Sequence, residues 1–553
     1  MIKEEIKKIL QRAAGAKEVT VEAPKEKTHG DYSSGVALVL SKKIGKNPIE
    51  FANEIVEKIG EQKFIAKIEV AGPGFINFFL KDEFFIENVK EIIKTGENFG
   101  KNKNLKNQKV IIEYTDPNPF KEFHIGHLMS NSIGESLSRI FEFQGAKVKR
   151  ANYQGDVGLH VAKAMFGKLK NPGQSWQEAY VFGAKVYEED EGAKKEMVEM
   201  NKKIFERNNK EVNKLYDQGK KESLAHFEKI YKELGTKFDY YFFESQVADT
   251  GKKVVKDGLK RHIFEKGERG AVVFEGEKLG LHTRVFINSE GLPTYEAKEL
   301  ALAKEKYKKY KYDTSVVVTG NEINEYFKVL LCAMSKIFPE LAKKTTHIGH
   351  GMMRLPEGKM SSRTGKVITF EFLLNEVEKL VLKKVADRDF SEAEKSRVAE
   401  IVAIGALKYS ILKQSIGSDI IYDFEKSISF EGDSGPYLQY SYARAQSVLR
   451  KAKTEKIKSD PNMQMHPNDP NILERMMVYF PEVVEKAGKE YEPHIITLYL
   501  TELAREFNNY YANNKIVDRA DKFSPYKVAI TQAFSVIMKN GLWLLGISAP
   551  ERM

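Results

Sequence analysis

One stretch, KVIIEYTDPNPFKEFHIGHLMSNSIGESLSRIFEFQG, constrains the fold more than any other. KVIIEYT is an apolar run that begins a buried strand. It stops at DPNP, a tight turn made of strand-breaking residues. Beyond the turn, Met129, Ile133, Leu137, Ile140 and Phe141 recur at helical spacing, and Gly145 ends the run as a C-cap. A strand that feeds a helix through a short turn is half of a βαβ unit, and such units build parallel sheets. Strand-like runs return in GAVVFEG, TRVFINSEGLPTY and DTSVVVTG, so an α/β domain with a Rossmann-like parallel sheet is predicted over residues 106–385.

A chain of 553 residues is too long for one core. Residues 1–105 read as a separate α+β unit: NPIEFANEIVEKIGE is an amphipathic helix, and AKIEVAGPGFINFFL is two strands about a Gly-Pro-Gly turn. TGENFGKNKNLKNQ reads as the linker that follows. From about 170 to 250 the chain turns polar and helical, a predicted insertion between the halves of the α/β domain. Residues 386–553 carry almost only helical periodicity, interrupted by the polar loop SDPNMQMHPNDPN.

The only cysteine, Cys332, leaves neither a disulfide framework nor a cysteine-built zinc site. No apolar run reaches the roughly 18 residues of a membrane helix, and the N-terminus lacks the apolar core of a secretory signal. These features place the chain in the cytoplasm, with no membrane partner and no protein-bound metal. A formal net charge of +11 permits a polyanionic partner without requiring one.

HIGH occurs twice. In the first copy, His124 and His127 lie where a strand feeds a helix N-terminus. Free backbone N–H groups and the helix dipole favour an anion there. Gly126 leaves room for a nucleotide, and the imidazoles can donate to phosphate oxygens as charge builds. The second copy, His347 to His350, is followed by GMMRLPEG, a strand end and a turn, and reads as ordinary strand. Shortly after it comes GKMSSRTG. Its glycines leave a loop mobile, and Lys359, Ser361, Ser362 and Arg363 form a phosphate-gripping set beside Met360.

The first HIGH box and the KMSSR loop together resemble the two signature motifs of class I aminoacyl-tRNA synthetases. The flanks resemble the arginyl-tRNA synthetases in particular. YTDPNPFKEFHIGHLMS is similar to that family's form of the box, and NYQGDVGLHVAKAM to its Gly-Asp-x-Gly segment. SFEGDSGPYLQYSYARAQSVLRKA and NGLWLLGISAPERM resemble its helical anticodon-binding domain and C-terminus. HGDYSSGVAL and IEVAGPGFINFFL resemble its extra N-terminal domain, which would touch the tRNA elbow.

The resemblance implies ATP-dependent ligation of L-arginine to its tRNA through arginyl-adenylate, with Mg2+ accompanying the ATP and the protein acting as a monomer. Enzymes of this family generally need tRNA present to activate arginine. By the same resemblance His124, Gly126, His127 and the segment Lys359, Met360, Ser361, Ser362 and Arg363 contact ATP. Ser362 stands where the general class motif has a second lysine; Lys121 occupies the place of the family's compensating cation, and Arg363 is a second candidate for it. Glu113, Asn118, His124, Tyr295 and Glu299 are the implied arginine-binding set, because a guanidinium fork calls for carboxylates. The family usually carries Asp where Glu299 stands and Gln where Ile323 stands. If the stretch after Tyr295 is helical, Tyr295 and Glu299 share a face while Glu296 and Lys298 point elsewhere. Tyr437, Tyr440, Arg444 and Met553 are the implied tRNA contacts, through stacking on unpaired bases. Two alternatives stand beside this reading. One is an HxGH nucleotidyltransferase acting on a small acid, for which two extra domains would be superfluous. The other is an inactive synthetase relative serving as an RNA-binding or regulatory protein, which retention of Lys121, His124, His127 and Lys359 opposes.

Overall fold

The computed structural model describes residues 2–24, 26–356, 368–462 and 472–553. It begins with α1 (Ile2–Ala14), β1 (Tyr32–Ser34), α2 (Val36–Ile44), α3 (Pro48–Ile59), β2 (Ile65–Ala71), β3 (Phe75–Leu80) and α4 (Asp82–Thr95). Helix α3 starts where the Asn47 side chain accepts the N–H groups of Ile49 and Glu50, with Pro48 in the first turn. β2 and β3 pair antiparallel across the Gly-Pro-Gly turn, and β1 pairs with β3, giving the α+β unit. The stretch read as a linker is not loose. Phe99 is buried and stacks on Phe480 with centroids 6.2 Å apart.

The central region follows as β4 (Lys109–Glu113), α5 (Ile125–Phe143), β5 (Lys147–Gln154), α6 (Leu159–Lys170), α7 (Trp176–Glu189), α8 (Glu191–Glu206), α9 (Lys210–Glu233), β6 (Tyr240–Phe243) and α10 (Glu244–Lys260). After it come β7 (Glu265–Lys266), β8 (Val272–Phe274), β9 (Arg284–Ile287), α11 (Tyr295–Lys309), β10 (Thr314–Gly320), α12 (Asn324–Ile337), α13 (Pro339–Lys344), β11 (Thr345–His350) and β12 (Met353–Arg354). Five strands form one parallel sheet in the order β11-β10-β4-β5-β6. β7, β8 and β9 make a separate antiparallel sheet. The insertion read as helical to about 250 therefore ends earlier. Tyr240–Phe243 is the edge strand of the main sheet, and its aromatic run carried no helical period to lose.

Strand alternation divides the core. Val110, Ile112, Val316 and Val318 pack with Leu128, Ile133 and Leu137 of α5. Ile111 and Val317 point to the other face, with Val247, Leu300 and Phe327. From β4 the chain builds outward to β5 and β6 on one side, and later crosses back to add β10 and β11 on the other. The crevice at the carboxyl ends of β4 and β10 is thus the switch point at which open α/β sheets bind ligands.

The remainder is helical: α14 (Phe370–Val385), α15 (Glu392–Leu412), α16 (Phe424–Ser427), α17 (Gly435–Thr454), α18 (Ile472–Met477), α19 (Phe480–Glu490), α20 (His494–Asn513) and α21 (Ser524–Leu544), with β13 (Ile420–Ile421) pairing to β12. These helices share a core with α5 rather than hanging from it. Ser136 Oγ and Arg139 Nη1 of α5 donate to the carbonyls of Leu544 (2.9 Å) and Trp543 (3.0 Å). Lys408 Nζ donates to those of Leu234 (2.6 Å) and Gly546 (2.7 Å). On the other side, Arg475 pairs with Asp31 at 2.6 Å and Tyr32 Oη donates to Glu482 at 2.6 Å, which fixes the N-terminal unit to α18 and α19.

Candidate functional site

The turn between β4 and α5 uses backbone that residues with side chains rarely adopt: Thr115, Asp116 and Phe120 have φ of +80°, +46° and +70°. Three bonds hold it there. Ser130 Oγ accepts the Thr115 N–H at 2.9 Å, Asn131 Nδ2 donates to Thr115 Oγ1 at 3.0 Å, and Ser223 Oγ of α9 accepts the Phe120 N–H at 2.9 Å. Strain fixed from two helices marks a site where geometry matters. Close packing of α5 on β4 also requires Gly134, since a Cβ there would lie 2.2 Å from the Tyr114 ring.

His124 caps α5. Its Nδ1 accepts the Gly126 N–H and the Nδ1 of His127 accepts the His124 N–H, each at 3.1 Å. The rings stack with centroids 3.6 Å apart. The Ile125 N–H goes to the Ile368 carbonyl at 3.0 Å. The expectation of free backbone donors at this helix end is therefore corrected: the first turn spends its N–H groups on histidine nitrogens and on Ile368. Gly126 matters for the same reason, since a Cβ there would meet the His124 ring at 3.0 Å. With both Nδ1 atoms accepting, each ring proton sits on Nε2. Burial, with help from the Lys121 cation, lowers the His124 pKa to about 4. His127 is held well below the usual histidine range by burial, by His124 and by Lys121. Both are neutral donors at physiological pH. The Lys121 ammonium lies 4.5 Å from the Tyr180 ring of α7 and also depresses His160, so it shares the histidines' crevice.

Beyond the turn is a carboxylate-rich pocket. Glu113, at the end of β4, is buried and pairs with Lys306 at 2.8 Å. Glu244 pairs with Lys298. Glu299 is pushed up to about 8, by burial first and then by Glu113. Asp116 is pushed well up by burial and by Glu113, although its Oδ1 accepts the Tyr153 N–H at 2.7 Å. Asn118 is close by, since a Cβ on Gly155 would lie 2.3 Å from its Oδ1. Glu113, expected in the arginine-binding set, is paired with Lys306 rather than bare. One expectation needs correction. Lys298 does not point away, because its Nζ lies 4.5 Å from the Tyr295 ring centroid, and Tyr295 itself is 56% exposed. Only Glu296 turns elsewhere, to Arg284 at 3.4 Å.

The second HIGH lies in β11. His347 stacks on Phe327 at 3.7 Å and its Nε2 bonds Thr319 Oγ1 at 2.7 Å, while His350 is buried against the Gly351 carbonyl at 2.7 Å. It makes strand contacts, as read, yet the Glu322 carboxylate acts on both His350 and His124, so the two copies end at one sheet edge. Lys359, Met360, Ser361, Ser362 and Arg363 lie outside the described residues.

In the helical region Tyr440, Arg444 and Met553 line one concave surface with Arg388, Phe390 and Tyr511. The Arg444 guanidinium lies 4.7 Å from the Tyr440 ring and 5.0 Å from that of Tyr511. Tyr437 is not part of it. It is only 9% exposed, because the first turn of α17 packs on α15, where a Cβ on Gly435 would lie 2.3 Å from the Gly405 carbonyl oxygen.

Asp116, Glu244, Lys306 and Asp156 belong to the region of the carboxylate-rich pocket, and no sequence pattern singles out the first three. Asp156, inside the quoted Gly-Asp-x-Gly segment, is fully buried. It accepts from Tyr216 Oη at 2.8 Å, Lys220 Nζ at 2.6 Å and Ser245 Oγ at 2.6 Å. A lone acid between two glycines was the available signal.

Three family models match the chain: arginyl tRNA synthetase N terminal domain over residues 1–80, tRNA synthetases class I (R), catalytic domain over 88–424, and DALR anticodon binding domain over 438–553. The arginine–tRNA ligase of Fusobacterium nucleatum is 32% identical over 97% of this chain and 96% of its own length. That of Clostridium acetobutylicum is 32% identical over 100% and 99%. Among solved structures, the Plasmodium falciparum arginyl-tRNA synthetase superposes with a TM-score of 0.82 at 20% identity, covering 100% of this chain and 99% of that one. The Thermus thermophilus enzyme gives 0.77 at 22% identity with full coverage of both chains.

Proposed function

The chain belongs to the arginyl-tRNA synthetases and joins arginine to tRNA with ATP, and on that premise we propose how its residues divide the work. The observation that carries the assignment is the pair of neutral imidazoles at the switch point, with an acidic pocket beside them across one strained turn.

In the first step an arginine carboxylate oxygen attacks the α-phosphorus of ATP, the α–β phosphoanhydride bond breaks, and pyrophosphate leaves. No protein nucleophile is needed, only placement and stabilisation of the developing charge. The Nε2–H groups of His124 and His127 donate to phosphate oxygens. Lys121 supplies the cation that Ser362 lacks, while Lys359, Met360, Ser361, Ser362 and Arg363 grip the nucleotide. Gly126 keeps the approach open. In the second step a terminal ribose hydroxyl of tRNA attacks the arginyl carbonyl and AMP departs. Magnesium accompanies the triphosphate.

Glu299 takes the guanidinium, with Tyr295 closing over the side chain. Asn118 and His124 orient the α-amino and carboxylate end. Glu113 acts with its Lys306 partner as a charged wall rather than as a bare ligand. Tyr440, Arg444 and Met553 receive anticodon bases, and residues 1–105 meet the tRNA elbow. The protein works as a cytoplasmic monomer with regions 1–105, 106–385 and 386–553.

A carboxyl raised to about 8 is protonated at pH 7, and a bound guanidinium would draw its proton off. Arginine binding should therefore release a proton, and the arginine KM should fall as pH rises from 7 to 9. Glu299→Gln should raise that KM by about tenfold or more, a charge-assisted bond of roughly 1.5–3 kcal/mol, and abolish its pH dependence while the KM for ATP holds. An unchanged arginine KM would remove Glu299 from the pocket.

A further inference from the structure

Tyr153 is the penultimate residue of β5, at the carboxyl edge of the sheet beside the acidic pocket. Its side chain is almost wholly enclosed, with 8% exposed. Among the described residues its hydroxyl nonetheless has no hydrogen-bond partner. A buried hydroxyl without a partner is costly, and native proteins rarely leave one unless something else fills the place. The charged groups acting on it are Glu244, Glu299 and Glu113, with the Tyr326 phenol also close. The pocket's lysines are engaged elsewhere, Lys298 with Glu244 and Lys306 with Glu113. The backbone is held too, because the Tyr153 N–H donates to Asp116 Oδ1 at 2.7 Å, and Asp116 sits at positive φ. The phenol is thus a buried polar group on a fixed backbone, unpartnered among the described residues and within the field of three carboxylates.

We infer that the Tyr153 hydroxyl is a specificity-determining ligand of the substrate, accepting an N–H of the arginine guanidinium. Burial and the surrounding carboxylates keep the phenol protonated, so it can also donate to a neighbouring carboxylate oxygen while its lone pair takes the guanidinium. A guanidinium has five N–H donors, more than one carboxylate can satisfy. A neutral acceptor is the complement that the acids leave wanting. The inference rests on the arginine pocket proposed above, and adds to it a residue that the family resemblance did not supply.

The test is Tyr153→Phe, which removes one oxygen and keeps the ring. It is assayed by ATP–pyrophosphate exchange with tRNA present, using arginine and ω-N-methylarginine, in which a methyl group replaces one donor. The arginine KM should rise about five- to tenfold, the scale of one buried hydrogen bond, with the ATP KM unchanged. The preference for arginine over the methylated analogue should shrink by a similar factor. The thermal midpoint without ligands should hold or rise, because an unsatisfied group has been removed. An unchanged arginine KM would overturn the inference. So would equal losses on both substrates, or a lowered midpoint, since either would mark a structural hydroxyl. Glu299→Gln is run in parallel. If it also leaves the arginine KM unchanged, the pocket itself is misplaced. If only Tyr153→Phe is silent, the pocket stands and this inference alone fails.

Discussion

Two imidazoles kept neutral by burial can still serve as donors, because the backbone takes both Nδ1 atoms and leaves the protons on Nε2. That arrangement leaves Lys121 as the fixed cation beside them. Lys121→Ala should slow adenylate formation by about 10²–10³, the usual cost of one group that stabilises transition-state charge, while the arginine KM stays within about twofold. Near-normal turnover in a pre-steady-state assay would refute a compensating role for Lys121. His124 and His127 were legible in the sequence because a strand, a turn and a helical period surrounded them. The partners of the acids were not. Glu113 meets Lys306 only because α11 packs on the face of the sheet that β4 belongs to, and no local pattern announces such a meeting. Tyr437 was misplaced for a related reason. Helical spacing fixes which residues share a face, but not which turn of the helix another helix covers.

Elements were read more easily than their edges. The helices of the insertion, the hairpin near the N-terminus and β4, β10 and β11 of the sheet follow from period and turn chemistry, whereas GAVVFEG and TRVFINSEGLPTY, expected in the parallel sheet, form the antiparallel one, because an alternating run does not say which strand it pairs with. Tyr240–Phe243 was absorbed into the insertion because four aromatic residues between helices show neither period. One of the ties between the insertion and the sheet is Asp156, which holds Tyr216 and Lys220 of α9 and Ser245 at the start of α10. Asp156→Asn removes the charge that Lys220 faces in a buried setting. Breaking such a pair by removing one partner typically costs about 3–5 kcal/mol. The variant should therefore unfold at clearly lower urea, and proteolysis of the folded protein should move to α9 and its flanks. An unchanged midpoint would mean that the contact carries no load.

At the scale of the whole molecule, three regions visible as composition shifts prove to be parts of one packed body. The sequence could mark where polarity changed, but not that Ser136 and Arg139 of α5 would grip the end of α21. The helix that carries the histidines is thereby bonded to the helices beside the Tyr440–Arg444 surface, and the net charge of +11 suits a polyanion that spans them. The most direct measurement is ATP–pyrophosphate exchange with each amino acid in turn, with and without total tRNA. Exchange should appear with arginine alone among them, once tRNA is added. Exchange driven by a different amino acid, or none under any condition, would overturn the assignment of the pocket to arginine.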